Sequence, residues 1–213
     1  INYMLFLLLA ISLANVFSVE YYRKTDAIIL CSKYGKKQLY FSKILAGITF
    51  SVVSAVLLFI ATLLSSVFVY GTNGFHAALQ LIFPFSSWNI SVGGSILILF
   101  FSLIAISVLY GCVIMLLSAI LKSNVAVMAV PVGIMILTMM VDVPYQFRLA
   151  SQVYDLLPTN LLNTTELWDD RLICILGRYF TNFQIAPFLY LVFAVLLILV
   201  GMVIYQRHQV QAR

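Results

Sequence analysis

Groups able to do chemistry near neutral pH are few in this sequence, and their spacing argues against catalysis. Five of its seven Asp and Glu residues (Asp142, Asp155, Glu166, Asp169 and Asp170) fall between positions 142 and 185, and the other two, Glu20 and Asp26, sit in a basic stretch. No apolar run contains an acid pair or a His–Glu cluster, so a general acid and base cannot share a dry site. His76 has no second His or Cys at metal-ligand spacing and is read as an interfacial polar residue. Cys31, Cys112 and Cys174 fall in a basic loop, an apolar run and an acidic loop, and are read as free thiols. Neither a Gly-x-Ser-x-Gly elbow nor a G-x-x-x-x-G-K-[ST] phosphate loop occurs. The chain is therefore read as a non-enzyme with no cofactor of its own, and any ATP hydrolysis that drives it belongs to another chain.

The one dense cluster of charge runs from Glu20 to Lys43, EYYRKTDAIILCSKYGKKQLYFSK. It holds six of the twelve Lys and Arg residues: Arg23, Lys24, Lys33, Lys36, Lys37 and Lys43. Within it Thr25 or Asp26 can cap a short helix, Ala27 to Leu30 supply apolar surface, and Gly35 offers a left-handed stop after Tyr34. A helix of about nine residues is too short to persist alone in water, so it must lean on the membrane or on a partner. The plain alternative is a solvated basic loop that only sets topology. A pI near 9.2 invites a nucleic-acid reading. Half of the positive charge lies in this single loop, however, with no basic stripe interleaved with aromatics, so no nucleic-acid partner is expected.

The elements that position this loop are apolar. With 63% apolar and 9% charged residues, the composition lies far from that of soluble domains, and an all-α integral membrane protein with the lipid bilayer as its surroundings is expected. Five stretches, 1–18, 44–70, 95–121, 125–141 and 186–205, approach the roughly 20 apolar residues needed to cross the hydrocarbon. None contains Asp, Glu, Lys or Arg. They form a single transmembrane domain over 1–213, with 19–43 inside and loops 71–94 and 142–185 outside. Ile1 then starts on the outer side, which predicts one further span before it and a six-span subunit. A bacterial plasma membrane is the expected location.

Local patterns fill in the loops. Phe75, Leu79 and Ile82 recur at helical spacing and predict a short interfacial helix ended by Pro84, with Phe83, Phe85 and Trp88 as an aromatic belt. Tyr145, Leu149, Val153 and Leu156 form an apolar stripe that predicts a helix stopped by Pro158. Asn163 and Glu166 have capping-box spacing and predict a second outer helix ended by Gly177. Ser102, Ser107, Gly111 and Ser118 are read as small residues that let spans approach. Pro131 and Gly133 weaken the span 125–141, making it the first candidate to border a pathway.

This layout resembles the ABC-2 type permease family, the membrane subunits of a class of ABC exporters. The resemblance rests on Glu20 after a span, the short helix 26–34, the turn Ser32 to Lys37 (S-K-Y-G-K-K), Lys43 opening the next span, and paired outer helices over 145–177. Many members carry a Pro and a Ser-Arg in that turn, where this chain has Lys33, Tyr34 and Gly35. The resemblance implies a dimer with a second permease subunit on two cytoplasmic ABC ATPases, which hold ATP and Mg. It implies that the loop helix is a coupling helix docking on the ATPase through Thr25, Asp26, Ile28, Ile29, Leu30, Lys33, Tyr34, Gly35 and Lys36. Substrates of such exporters include peptides, drugs, lipids and polysaccharides.

A path between the first and fourth visible spans would offer Asn15, Met128, Met135, Thr138, Met139 and Met140 as its few polar or adaptable points, which favours an amphipathic or hydrophobic substrate. The competing reading of the Met residues is ordinary packing or lipid-facing surface. Two other functions stay open at this point: a non-transporting membrane scaffold that anchors a cytoplasmic partner through the same loop, and an ion-coupled carrier whose ionisable group lies in the span before Ile1.

Overall fold

The computed structural model describes residues 1–22, 37–84, 86, 88–121, 123–141, 143–144, 146–161, 166–168, 172–175 and 177–207. Apolar runs without charge leave the backbone only one way to satisfy itself internally within a single segment, and these runs are helices. They are α1 (Asn2–Leu13), α2 (Asn15–Tyr22), α3 (Gln38–Tyr70), α4 (Val92–Leu121), α5 (Asn124–Met140), α6 (Arg148–Asp155), α7 (Pro158–Leu161) and α8 (Asn182–Arg207). Four helical stretches are long and apolar enough to cross a membrane: Asn2–Glu20, Gln38–Tyr70, Val92–Leu121 and Asn182–Tyr205. The fifth expected span, α5, has 17 residues, or about 26 Å at 1.5 Å per residue.

The axis of the bundle is α4, which packs against α1, α2, α3, α5 and α8. Its small residues explain why. A Cβ on Gly111 would collide with the Ser51 hydroxyl of α3, and one on Gly47 of α3 would collide with the Met115 thioether of α4. Each helix thus takes the other's side chain where it has none itself. Leu5, Leu9, Ile106, Ile114 and Val127 are fully buried around this axis. Half of α4's apolar stretch is buried but only 11% of α3's, so α3 lies at the edge and turns Leu57, Leu64 and Phe68 outward. α8 likewise exposes Phe188, Val192 and Val195.

The outer segments depart from the expected helices. Over 75–82 only Leu79–Leu81 forms a single 3-10 turn. The backbone pairs instead across the loop, with Leu79 N donating to Ile90 O at 2.9 Å and Gly93 N to Phe75 O at 2.9 Å. Trp88 packs edge-on against Phe183 at 4.9 Å rather than standing only as a belt residue; Phe85 lies outside the described residues. The second outer helix is also replaced. Glu166–Trp168 is a 3-10 turn, and strands β1 (Ile173–Ile175) and β2 (Arg178–Phe180) form an antiparallel hairpin with Cys174 opposite Tyr179. Gly177 does adopt a left-handed φ of 79°, but it closes the hairpin rather than a helix. Ile-Cys-Ile and Arg-Tyr-Phe are β-prone triplets, and a two-residue turn with such a glycine suits them better than a helix end. Asn163 lies outside the described residues.

The first outer helix forms, as α6, and its apolar stripe faces away from the protein. Leu149 and Val153 are 80% and 65% exposed, while Ser151 and Asp155 are buried. A helix on a water-facing surface would turn its apolar stripe inward. The opposite orientation fits hydrocarbon on the outside, where polar groups must find protein partners. Its depth agrees. Tyr190 donates to Leu156 O at 2.7 Å, and Tyr190 is eight residues into α8, about 12 Å inward of that helix's start. Tyr154 reaches Thr138 O and Val141 O at the end of α5, and Asn2 donates to Pro158 O at 2.8 Å. The α6–α7 segment therefore forms a lid over one end of the bundle, held to the start of α1, the first half of α8 and the end of α5.

Candidate functional site at the root of the basic loop

The first apolar run does not form one helix. Its hydrogen-bond ladder breaks at Ala14, between α1 and α2, although no Pro or Gly is present to explain it. The cause is on α4. Ser118 Oγ accepts from Phe17 N at 3.1 Å and from Ser18 N at 3.0 Å, and donates its own proton to Ala14 O at 2.7 Å. One hydroxyl on the central helix thus meets two amides and a carbonyl freed by the break, using its single proton and both lone pairs. Ser18 Oγ lies 2.6 Å from Ala14 O and also touches the Asn124 carboxamide at the start of α5. The contacting atom is Asn124 Oδ1, an acceptor, so the single Ser18 proton serves one of two acceptor oxygens, Ala14 O or Asn124 Oδ1.

One and a half turns further on, the two flanks of the basic loop are fastened together. Lys43 Nζ lies 2.5 Å from Glu20 Oε1, with the two side chains only 18% and 14% exposed. The same ammonium donates to Val16 O at 2.8 Å and sits 4.7 Å from the centre of the Phe17 ring. Its positive charge is therefore met by a carboxylate, a carbonyl and an aromatic face in one place. Phe17, Tyr40 and Tyr205 close the floor, with ring centres 5.8, 5.5 and 5.6 Å apart. Tyr40 donates to Ile198 O of α8 at 2.8 Å. Gly201 makes room for it, since a Cβ there would strike the Tyr40 hydroxyl.

This joint ties α2, α3, α4, α5 and α8 together where the chain leaves for the basic loop. The residues expected to dock an ATPase (Thr25, Asp26, Ile28, Ile29, Leu30, Lys33, Tyr34, Gly35 and Lys36) all lie outside the described residues. Their two flanks are described: Tyr22 ends α2 and Lys37 immediately precedes α3. Reading the sequence singled out Glu20 and Lys43 as brackets of the loop but not as each other's partner. It missed Ser18 and Asn124, and it took Ser118 only as a small packing residue. A hydroxyl and a carboxamide amid charge-free apolar runs were the available signal, because a polar group there needs a partner.

The residues read as a substrate path are not gathered into one lining. Asn15 opens α2 on the exposed side, Met139 and Met140 are exposed, Met128 is half-buried against the core, and Met135 is buried. The Thr138 hydroxyl turns back to Met135 O at 2.8 Å. Nor is α5 interrupted: it runs unbroken through Pro131 and Gly133. The broken span is the first one, and its break is imposed by tertiary contacts.

No family model, curated protein or solved structure matches this chain.

Proposed function

We propose that this chain is the membrane-spanning permease subunit of an ATP-driven exporter of the ABC-2 type, moving an amphipathic or hydrophobic substrate out of the cell. In this reading five helices of the described bundle cross the membrane, α5 by virtue of local thinning or the lid above it. A second permease subunit completes the pathway, and a separate cytoplasmic ATPase holds ATP and Mg. The observation that carries the reading is the joint. The Glu20–Lys43 pair and the Ser118 hydroxyl fix both roots of the basic loop to the central helix, so a force applied to that loop reaches α4 without first unwinding a helix end. A loop that served only topology would need no such fastening. The apolar outward faces of α3 and α8 and the scarcity of buried charge favour an amphiphile over a sugar or an ion.

The test is co-purification from lipid of the chain with an ATPase, followed by hydrolysis with and without candidate amphipathic peptides. Ile28→Asp and Leu30→Asp place a charge on the loop's apolar face and are expected to lose the ATPase, since an unpaired charge buried at an interface costs several kcal/mol. A complex whose hydrolysis rate is indifferent to this subunit would instead identify a scaffold. Topology is checked separately: cysteine at Asn73 or Asp169 is expected to react with an impermeant thiol reagent from outside, and cysteine at Lys36 is not.

A further inference from the structure

Alongside the start of α8 runs an open groove of about 790 Å³, within the range of roughly 300–1,000 Å³ that small-molecule sites occupy. Tyr179 and Phe180 of β2 wall its head, and Phe188, Val192, Phe193 and Leu196 line its length. Its extent is that of one leaflet. Gln184 and Leu196 stand at its two ends on α8, about 18 Å apart at 1.5 Å per residue. Half of a hydrocarbon core of about 30 Å is a little less than that.

Polarity is confined to the head of this groove. Beyond Gln184 its lining is wholly apolar. At the head stand the Tyr179 hydroxyl and the Gln184 carboxamide, and Arg178 precedes Tyr179 on β2, on the same strand face as Phe180 by the two-residue period. Gln184 Oε1 accepts from Thr181 N at 3.3 Å, which leaves both amide protons to be offered elsewhere. Arg178 is exposed and has no carboxylate partner among the described residues. The head therefore presents donors and a positive charge, the complement of a phosphate group. The exposed face of α3 has no such head. Its Thr62, Ser65 and Ser66 hydroxyls turn back on carbonyls of their own helix.

We propose that this groove holds one acyl chain of a membrane phospholipid, with the phosphate seated at Arg178, Tyr179 and Gln184. The chain covers Phe188, Val192 and Leu196, which are 73%, 60% and 49% exposed, and the phosphate accepts from the guanidinium, the hydroxyl and the carboxamide. One lipid then bridges the hairpin and α8. The site requires insertion in a membrane but neither an ATPase nor transport, so a failure of the exporter reading leaves it standing.

The test is photocrosslinking of the full chain in nanodiscs with a phosphatidylglycerol probe that carries a diazirine near the end of one acyl chain, mapped by peptide mass spectrometry. Crosslinks at Val192 to Leu196 are expected several-fold above those at Val53 and Leu57 in the middle of α3, which are 55% and 62% exposed. Arg178→Gln is expected to remove most of that excess, and a diacylglycerol probe with the same chain but no phosphate is expected to show little of it. Should Arg178→Gln unsettle the hairpin, Val192→Trp fills the groove from an exposed position and is expected to remove the excess as well. Equal crosslinking of α8 and α3 in the unaltered chain identifies ordinary surrounding lipid and overturns the proposal. Weaker crosslinking at α8 than at α3 identifies a second copy of the chain over the groove and overturns it too. An equal excess with the diacylglycerol probe overturns the phosphate seat.

Discussion

The two ends of the bundle handle buried polarity in opposite ways. At the inner joint the Ser18 and Ser118 hydroxyls, the Lys43 ammonium and the Tyr40 hydroxyl all have named partners. At the lid end, the Thr159 and Thr181 hydroxyls have none among the described residues. Hydrocarbon offers no partner for a polar group, so the first arrangement resists distortion more than the second. In the proposed transport reading, the fully partnered end is the one suited to carry load.

If that contrast is right, substitutions at the inner end should be the more damaging. Lys43→Met leaves Glu20 buried without its cation and is expected to lower stability by about 3 kcal/mol, the low end for breaking a buried pair because both side chains keep some solvent contact. Thermal unfolding in nanodiscs measures it, and adding Glu20→Gln should restore most of the loss. Recovery of only a small part of the loss would show that Lys43 matters for Val16 O and Phe17 more than for the carboxylate.

Ser118→Ala comes next. It strips the Phe17 and Ser18 amides of their acceptor, and an expected loss of about 2 kcal/mol follows from two partly orphaned buried groups. Ser118→Thr keeps the hydroxyl and should lie close to the parent. If Ser118→Ala were neutral, α1 and α2 would have closed into one continuous helix, and the break at Ala14 would be a local preference rather than a consequence of α4.

At the outer end, Tyr190→Phe removes the bond to Leu156 O and is expected to cost about 1 kcal/mol of global stability. Its clearer effect should be local: faster amide hydrogen exchange over α6–α7 with the joint unchanged. Smallest of all is Gly177→Val. A β-branched residue at positive φ costs on the order of 1–2 kcal/mol locally, and confined to a short exposed hairpin it should shift the global midpoint little, with the loss read as exchange at 173–180. An equal response at both ends would erase the distinction drawn between them.

What the sequence made legible divides along the same line. Charge-free apolar runs announced the helices, since hydropathy reads one segment at a time, and Glu20 and Lys43 could be seen to bracket the loop. The Ser118 contacts could not be seen, because the hydroxyl and the amides it serves are about a hundred residues apart and no local pattern links them. The apolar stripe of α6 was legible but the direction it faces was not, because an amphipathic stripe points to the core only when water is outside. The hairpin was hidden by the Asn163–Glu166 spacing, a local helix signal that the β-prone triplets around Gly177 overruled.

The central claim is that the joint passes force from the loop to α4, and substrate-stimulated ATP hydrolysis by the co-purified complex in lipid tests it most directly. Lys43→Met and Ser118→Ala leave the loop sequence 23–36 intact, so both variants are predicted to retain the ATPase and basal hydrolysis but to lose the stimulation by substrate. Parental stimulation in both, with each variant's joint shown to be loosened by hydrogen exchange, would contradict the account.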